Sequence, residues 1–77
     1  MSWDERDGAL TRVFRFDGFV DAFAFMTRVA LIAQRLDHHP DMSISWNEVT
    51  VRTTSHDAGN TVTDRDRRLA EAIDGAA

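Results

Sequence analysis

Cysteine and lysine are both missing from these 77 residues, proline occurs once and glycine four times. Without cysteine there is no disulfide and no thiolate zinc site, and the chain suits a reducing cytoplasm. Without lysine, arginine supplies all nine cations, set against thirteen Asp and Glu for a net charge of −4. A mildly acidic chain with no basic stripe is a poor nucleic-acid binder, because phosphate neutralisation supplies most of that affinity. Uninterrupted apolar runs such as Val29–Ala33 are far too short to span a bilayer. The start of the chain, Met1 to Asp7, is charged and carries no apolar signal region. These features predict a cytoplasmic protein with no nucleic-acid or membrane partner. No repeat, low-complexity run, linker or Gly-rich phosphate loop is present.

The length makes one domain, residues 1–77. A chain this short buries only roughly 60–65% of its unfolded surface, so its core is marginal. Small domains add disulfides, a metal or an oligomer. With disulfides excluded, oligomerisation is the expected support.

Leu10–Phe16 mixes β-branched, aromatic and charged residues and reads as a strand, with Phe14 and Phe16 on one face. Asp17 is a suitable N-cap, and a helix is predicted from about Gly18 to Leu36 with Asp21 in its first turn. Phe19, Ala22, Phe23, Met26, Ala30 and Ala33 share one face, which Phe25, Val29, Ile32 and Leu36 extend. The combined apolar arc spans about 180°, wider than the ~100° stripe a surface helix needs. Either the helix is deeply buried, or the edge of the arc, with Phe25, Ile32 and Leu36, meets another subunit.

Pro40 forbids continuation of the helix and pushes His39 towards an extended conformation. Met42, Ile44 and Trp46 alternate with Ser43 and Ser45 as a half-buried strand. Asn47-Glu48 reads as a two-residue turn, after which Val49, Val51 and Thr53 continue with period 2. Ser55–Thr61 is a polar loop. Thr63 to Asp66 has the form of a capping box, and Leu69, Ala72 and Ile73 give a last helix its buried stripe. Strand, helix, strand, strand, helix is an α+β two-layer order.

All three histidines, His38, His39 and His56, lie at the end of the long helix or just past the hairpin. A hairpin returns to where it began, so His56 is expected to face His38 and His39 across a shallow cleft. Histidine both gives and takes protons near neutral pH. The cluster admits acid–base catalysis, metal binding or simple helix capping. Adjacent histidines point apart, unlike the pairs at i, i+4 on a helix that converge on one ion. Asp37, Asp41 and Asp57 are the carboxylates near enough to assist a metal.

Leu36-Asp37-His38-His39-Pro40-Asp41, then Trp46, then Ser55-His56-Asp57-Ala58-Gly59, then Asp66, resembles the signature of the pterin-4a-carbinolamine dehydratase family. Trp3, Leu10, Arg12, Phe14, Phe16, Phe19, Ala22, Phe25 and Met26 stand at the family's spacing. The resemblance implies a four-stranded antiparallel sheet with two helices on one face, in the order β-β-α-β-β-α, and so an extra strand near Trp3. It implies homodimers or homotetramers, no cofactor and no metal. It implies loss of water from 4a-hydroxytetrahydrobiopterin or a related pterin carbinolamine, giving the quinonoid dihydropterin and recycling the cofactor of aromatic amino-acid hydroxylases.

Carried onto this chain, the resemblance makes His38, His39 and His56 catalytic and places His38, His39, Pro40, Ser55, His56, Asp57 and Ala58 at the substrate. His38 becomes the base towards N5, and His39 or His56 the acid at the hydroxyl. Backbone groups around Ser55–Ala58 would read the donor–acceptor edge of the pterin. Gln34, Trp46 and Asp66 are supporting candidates, Trp46 as a stacking wall. The chain departs from the family pattern in four ways. Gln34 stands where an acidic residue is common, and Met42 replaces an aromatic. The loop from His56 to Asp66 is one residue longer, and the N-terminal helix is missing. A second reading is a dehydratase-like scaffold acting as an assembly module; a metal-dependent hydrolase is a third.

Overall fold

Two hairpins, each closed by two residues, build the sheet. In the computed structural model, which describes residues 3–77, β1 (Asp4–Arg6) and β2 (Ala9–Arg15) form the first hairpin, with Arg6 opposite Ala9. Its turn is Asp7-Gly8, both at positive φ (53° and 76°). This is the mirror-image turn whose twist matches that of the flanking strands. β3 (Asp41–Ser45) and β4 (Glu48–Thr53) form the second hairpin. β2 pairs with β4, so the antiparallel order is β1-β2-β4-β3. The strand implied near Trp3 is β1, the three residues that follow it.

The helices α1 (Phe19–Leu36) and α2 (Asp64–Asp74) cover one face of the sheet. Strand alternation puts Phe14 of β2 and Val49 and Val51 of β4 on that face, where they pack with Phe25, Val29 and Ile32 of α1 and Leu69 and Ile73 of α2. Phe25 is fully buried, its ring 4.7 Å from Phe14 and 5.0 Å from Phe16. The opposite face carries Thr11, Val13 and Thr50, and among the described residues no helix lies over it. The fold is the α+β two-layer arrangement β-β-α-β-β-α.

Three local expectations are corrected. Gly18, in extended backbone, occupies the N-cap position of α1 rather than Asp17, and no side chain caps it. Ser45 pairs with Glu48, so the β3–β4 turn is Trp46-Asn47 and not Asn47-Glu48. The reason is an anchor just past β2: the Phe16 N–H donates to Asn47 O at 2.9 Å, and Asn47 Nδ2 donates to Phe16 O at 3.0 Å. Finally, Phe25 and Ile32 are 0% and 9% exposed and Leu36 packs against the core, so these side chains face the sheet and not a partner. The large apolar side chains of α1 left in solvent are Phe19, Val20, Phe23 and Leu31, on another side of the helix.

α1 stops in a manner that aims the histidines. Asp37 takes the left-handed conformation (φ 53°). Its N–H donates to Gln34 O at 3.2 Å while the His38 N–H donates to Ala33 O at 3.1 Å. These are the two bonds of a Schellman close, here with Asp in the place glycine usually takes. Pro40 prevents any resumption of helix, and β3 begins at Asp41.

Candidate active site

The Schellman close turns His38 back under α2, while the end of β4 and the loop after it arrive from the other side. A cleft of about 280 Å³ results, lined by Asp37, His38, His39, Thr54, His56, Asp57 and Arg65. A larger cavity, about 340 Å³, lies along β2 against Ala77, but its lining holds no histidine or carboxylate side chain. Proton-transfer chemistry therefore points to the histidine cleft.

Behind the cleft lies a buried carboxylate. Asp66 has no exposed surface, yet it accepts four hydrogen bonds. Oδ1 takes the Thr53 hydroxyl at 2.6 Å and lies 2.6 Å from His38 Nε2. Oδ2 takes the Ser55 hydroxyl at 2.7 Å and the Thr63 N–H at 2.9 Å. The last of these completes the capping box that starts α2, as the Thr63 hydroxyl accepts from the Arg65 N–H. Burial alone would raise the Asp66 pKa. The bonds from Thr53, Thr63, His38 and Ser55 outweigh it and hold the group at about 2. Asp66 is thus a carboxylate at neutral pH and can only accept, so His38 donates from Nε2 and keeps its lone pair on Nδ1 when neutral.

The other two rings are held by neutral amides. His39 Nε2 lies 3.0 Å from Gln34 Oε1, one helical turn before the close of α1. His56 opens a short 3₁₀ turn (His56–Ala58), and its Nδ1 lies 2.8 Å from Asn60 Oδ1. Beside it Asp57 meets Arg65 in a two-pronged ion pair at 2.6 and 2.9 Å. The Arg65 hydrogen bond holds the Asp57 carboxyl below its ordinary pKa, outweighing the opposing effect of desolvation. Among the described residues, no three His, Asp or Glu side chains are grouped so as to hold a metal ion.

Of the residues singled out in the sequence, His38, His39, His56 and Asp57 meet in this cleft, with Gln34 and Asp66 supporting two of the rings. Others do not line it. Ser55 is fully buried, its hydroxyl on Asp66 and its N–H on Thr61 O. Pro40 and Ala58 are absent from the lining, and the Ala58 N–H is already bonded to Ser55 O. The amides of Ser55 and Ala58 are therefore engaged within the loop and are not free to read a ligand edge. Trp46 does not line this cleft: it stands 66% exposed in the β3–β4 turn, at the opposite end of β3 from His39. Thr54 and Arg65 line the cleft without having been singled out. Arg65 did carry a signal, because a cation in the first turn of a helix opposes the helix dipole and calls for a carboxylate partner.

Residues 1–76 match the family model for pterin 4 alpha carbinolamine dehydratase. A protein of Rhizorhabdus wittichii that carries the provisional name pterin-4-alpha-carbinolamine dehydratase is 52% identical over 97% of this chain and 78% of its own length. One of the same provisional name from Haloarcula marismortui is 47% identical over 95% of this chain and 78% of its own. The crystal structure of a transcriptional coactivator/pterin dehydratase from Brucella melitensis superimposes with a TM-score of 0.90 at 38% identity, over 99% of this chain and 82% of that one. A pterin dehydratase-like RuBisCO assembly factor of the alpha-carboxysome has a TM-score of 0.86 at 20% identity, a likeness of fold alone. By sequence and by fold, this chain belongs to the pterin-4-alpha-carbinolamine dehydratase family.

Proposed function

We propose that the protein dehydrates a 4a-hydroxytetrahydropterin to the quinonoid dihydropterin by histidine acid–base catalysis. The observation that carries this reading is the His38–Asp66 pair at the back of a cleft shared with His39 and His56. In the reaction the N5–H proton passes to a base, and its electron pair closes the C4a=N5 double bond. The C4a–O bond breaks, and the hydroxyl leaves as water with a proton from an acid. His38 is the base, acting through Nδ1, because the imidazolium it becomes is paired at once with the Asp66 carboxylate. The acid is His39 or His56. The chain's own histidines supply both protons' traffic, so no cofactor is required.

We also propose that the protein is a cytoplasmic homodimer or homotetramer. Four large apolar side chains on one helix, Phe19, Val20, Phe23 and Leu31, are at least half exposed. Exposed apolar side chains gathered on one side of a helix support an interface with a second copy.

The test is turnover of a synthetic pterin carbinolamine by purified protein, with the double variant His38→Ala/His39→Ala and His56→Ala as comparisons. The wild type is expected to turn over. The double variant should lose activity, and His56→Ala should fall about 10²-fold, the low end for loss of a general acid or base. A folded wild type that leaves the carbinolamine decay rate unchanged would remove the enzymatic reading and favour an assembly module on the same scaffold.

A further inference from the structure

The ring of His56 is oriented from within its own loop. Its Nδ1 lies 2.8 Å from Asn60 Oδ1. The backbone of Asn60 is itself pinned, in the left-handed region (φ 60°) with its N–H on Ser55 O at 3.1 Å. The β1–β2 turn supports the loop from behind. Gly8 comes so close that a Cβ there would fall 2.1 Å from Asn60 O, and the Thr54 hydroxyl donates to Gly8 O at 2.6 Å. Asn60 therefore presents its side chain to His56 from a fixed position, although both residues are exposed.

An amide oxygen accepts and does not donate, so this contact needs the proton on Nδ1 of His56. Neutral imidazole in water favours the other tautomer, with the proton on Nε2. The partner of one ring nitrogen decides which nitrogen is left to react. We propose that Asn60 is a positioning residue that locks His56 in the Nδ1–H tautomer and leaves Nε2 to exchange a proton with the ligand in the cleft. His38 and His39 are held the opposite way, through Nε2, so the two sides of the cleft work through different ring nitrogens. When His56 is the acid, the imidazolium releases its Nε2 proton to the departing hydroxyl and returns to the neutral Nδ1–H form that Asn60 stabilises. The charged or titratable groups lining the cleft with His56 are Asp37, His38, His39, Asp57 and Arg65; none of them bonds to Nδ1 of His56.

The catalytic consequence rests on the dehydratase reading, but the tautomer does not. Long-range proton–nitrogen correlation spectra of ¹⁵N-labelled protein, recorded on the neutral ring, read the tautomer directly. The wild type is expected to show Nδ1–H. Asn60→Gly, which keeps the left-handed backbone and removes the side chain, should switch the ring to Nε2–H with an unchanged circular dichroism spectrum. It should also lower kcat/KM about tenfold, the small end for loss of a residue that orients a reacting group. Asn60→Asp retains an acceptor and should restore both the tautomer and most of kcat/KM. A wild-type ring in the Nε2–H form, or an identical ring spectrum in Asn60→Gly, would overturn the proposal. An Nδ1–H ring that switches in Asn60→Gly, in a protein without carbinolamine turnover, would support the positioning and count against the dehydratase reading alone.

Discussion

His38 Nε2 sits 2.6 Å from Asp66 Oδ1, an oxygen that simultaneously accepts the Thr53 hydroxyl at 2.6 Å. The pair links the close of α1 to the first turn of α2 and the end of β4, so the His38 ring is oriented by the same contact that joins three elements. An amide at position 66 cannot accept four donors: its NH₂ would oppose His38 and Thr53 in the place of Oδ1, or Ser55 and Thr63 in the place of Oδ2. Asp66→Asn is therefore expected to lower turnover by about 10²-fold. It should also destabilise the fold by about 1–3 kcal/mol through donors left unpaired. A kinetic and denaturant comparison with the wild type checks both, and full activity in the variant would detach His38 from its assigned orientation.

The same carboxylate makes the fold acid-sensitive in a defined window. Its folded pKa, about 2, lies below the ordinary value of 3.8, so the unfolded chain binds the extra proton. Stability then rises with pH between the two values. The contribution is fully present above pH about 4 and is lost as pH falls through about 2; it amounts to about 2 kcal/mol. Urea midpoints measured from pH 5 down to pH 2 should fall steeply in the wild type and less in Asp66→Asn. Parallel curves would mean that other carboxylates dominate acid unfolding.

Turnover should survive treatment with a strong chelator. Among the described residues, no three His, Asp or Glu side chains are grouped so as to hold one ion, as zinc requires at ~2.0–2.1 Å. Activity assayed before and after chelation, with zinc added back, decides this. A large loss restored by zinc would replace acid–base catalysis with metal chemistry.

Much of this arrangement was legible in the sequence, and the exceptions have physical causes. Alternation in Met42–Ile44 and Val49–Thr53 marked β3 and β4, and the capping box at Thr63 and Asp66 marked the start of α2. β1 is three charged, exposed residues with no apolar alternation. It is a strand because the Asp7-Gly8 turn folds it onto β2, and that dipeptide was the local signal for it. Helical periodicity identified the apolar arc of α1, but it carries no information on which part of the arc a sheet will cover. The sheet took the side with Phe25, Val29 and Ile32. The three histidines were visible from composition. Thr54 reaches the cleft, and Asn60 the ring of His56, only once the His56 loop is docked, so neither stood out; Arg65 was marked only by its place in the first turn of α2.

The exposed side of α1 carries the last prediction. At about 100° per residue, Phe19, Phe23, Val20 and Leu31 fall within one broad sector of α1. The charged residues Asp21, Arg28 and Arg35 cluster on another. Phe19 and Phe23 stack on each other with ring centroids 6.2 Å apart, so the surface is preformed rather than scattered. Burying it in a symmetric contact removes apolar area from water without desolvating a charge, which suits a self-association interface. Light scattering on the wild type is expected to give a dimer or tetramer. Leu31→Glu and Phe23→Glu place a carboxylate where the single chain leaves the side chain 67% and 54% exposed. Each should therefore lower the mass and keep the helical circular dichroism. Ile32→Glu differs by one position and faces the core, where an unpaired carboxylate costs several kcal/mol, so it should unfold the chain instead. A wild type that stays monomeric and active at micromolar concentration would leave this apolar surface without its proposed partner.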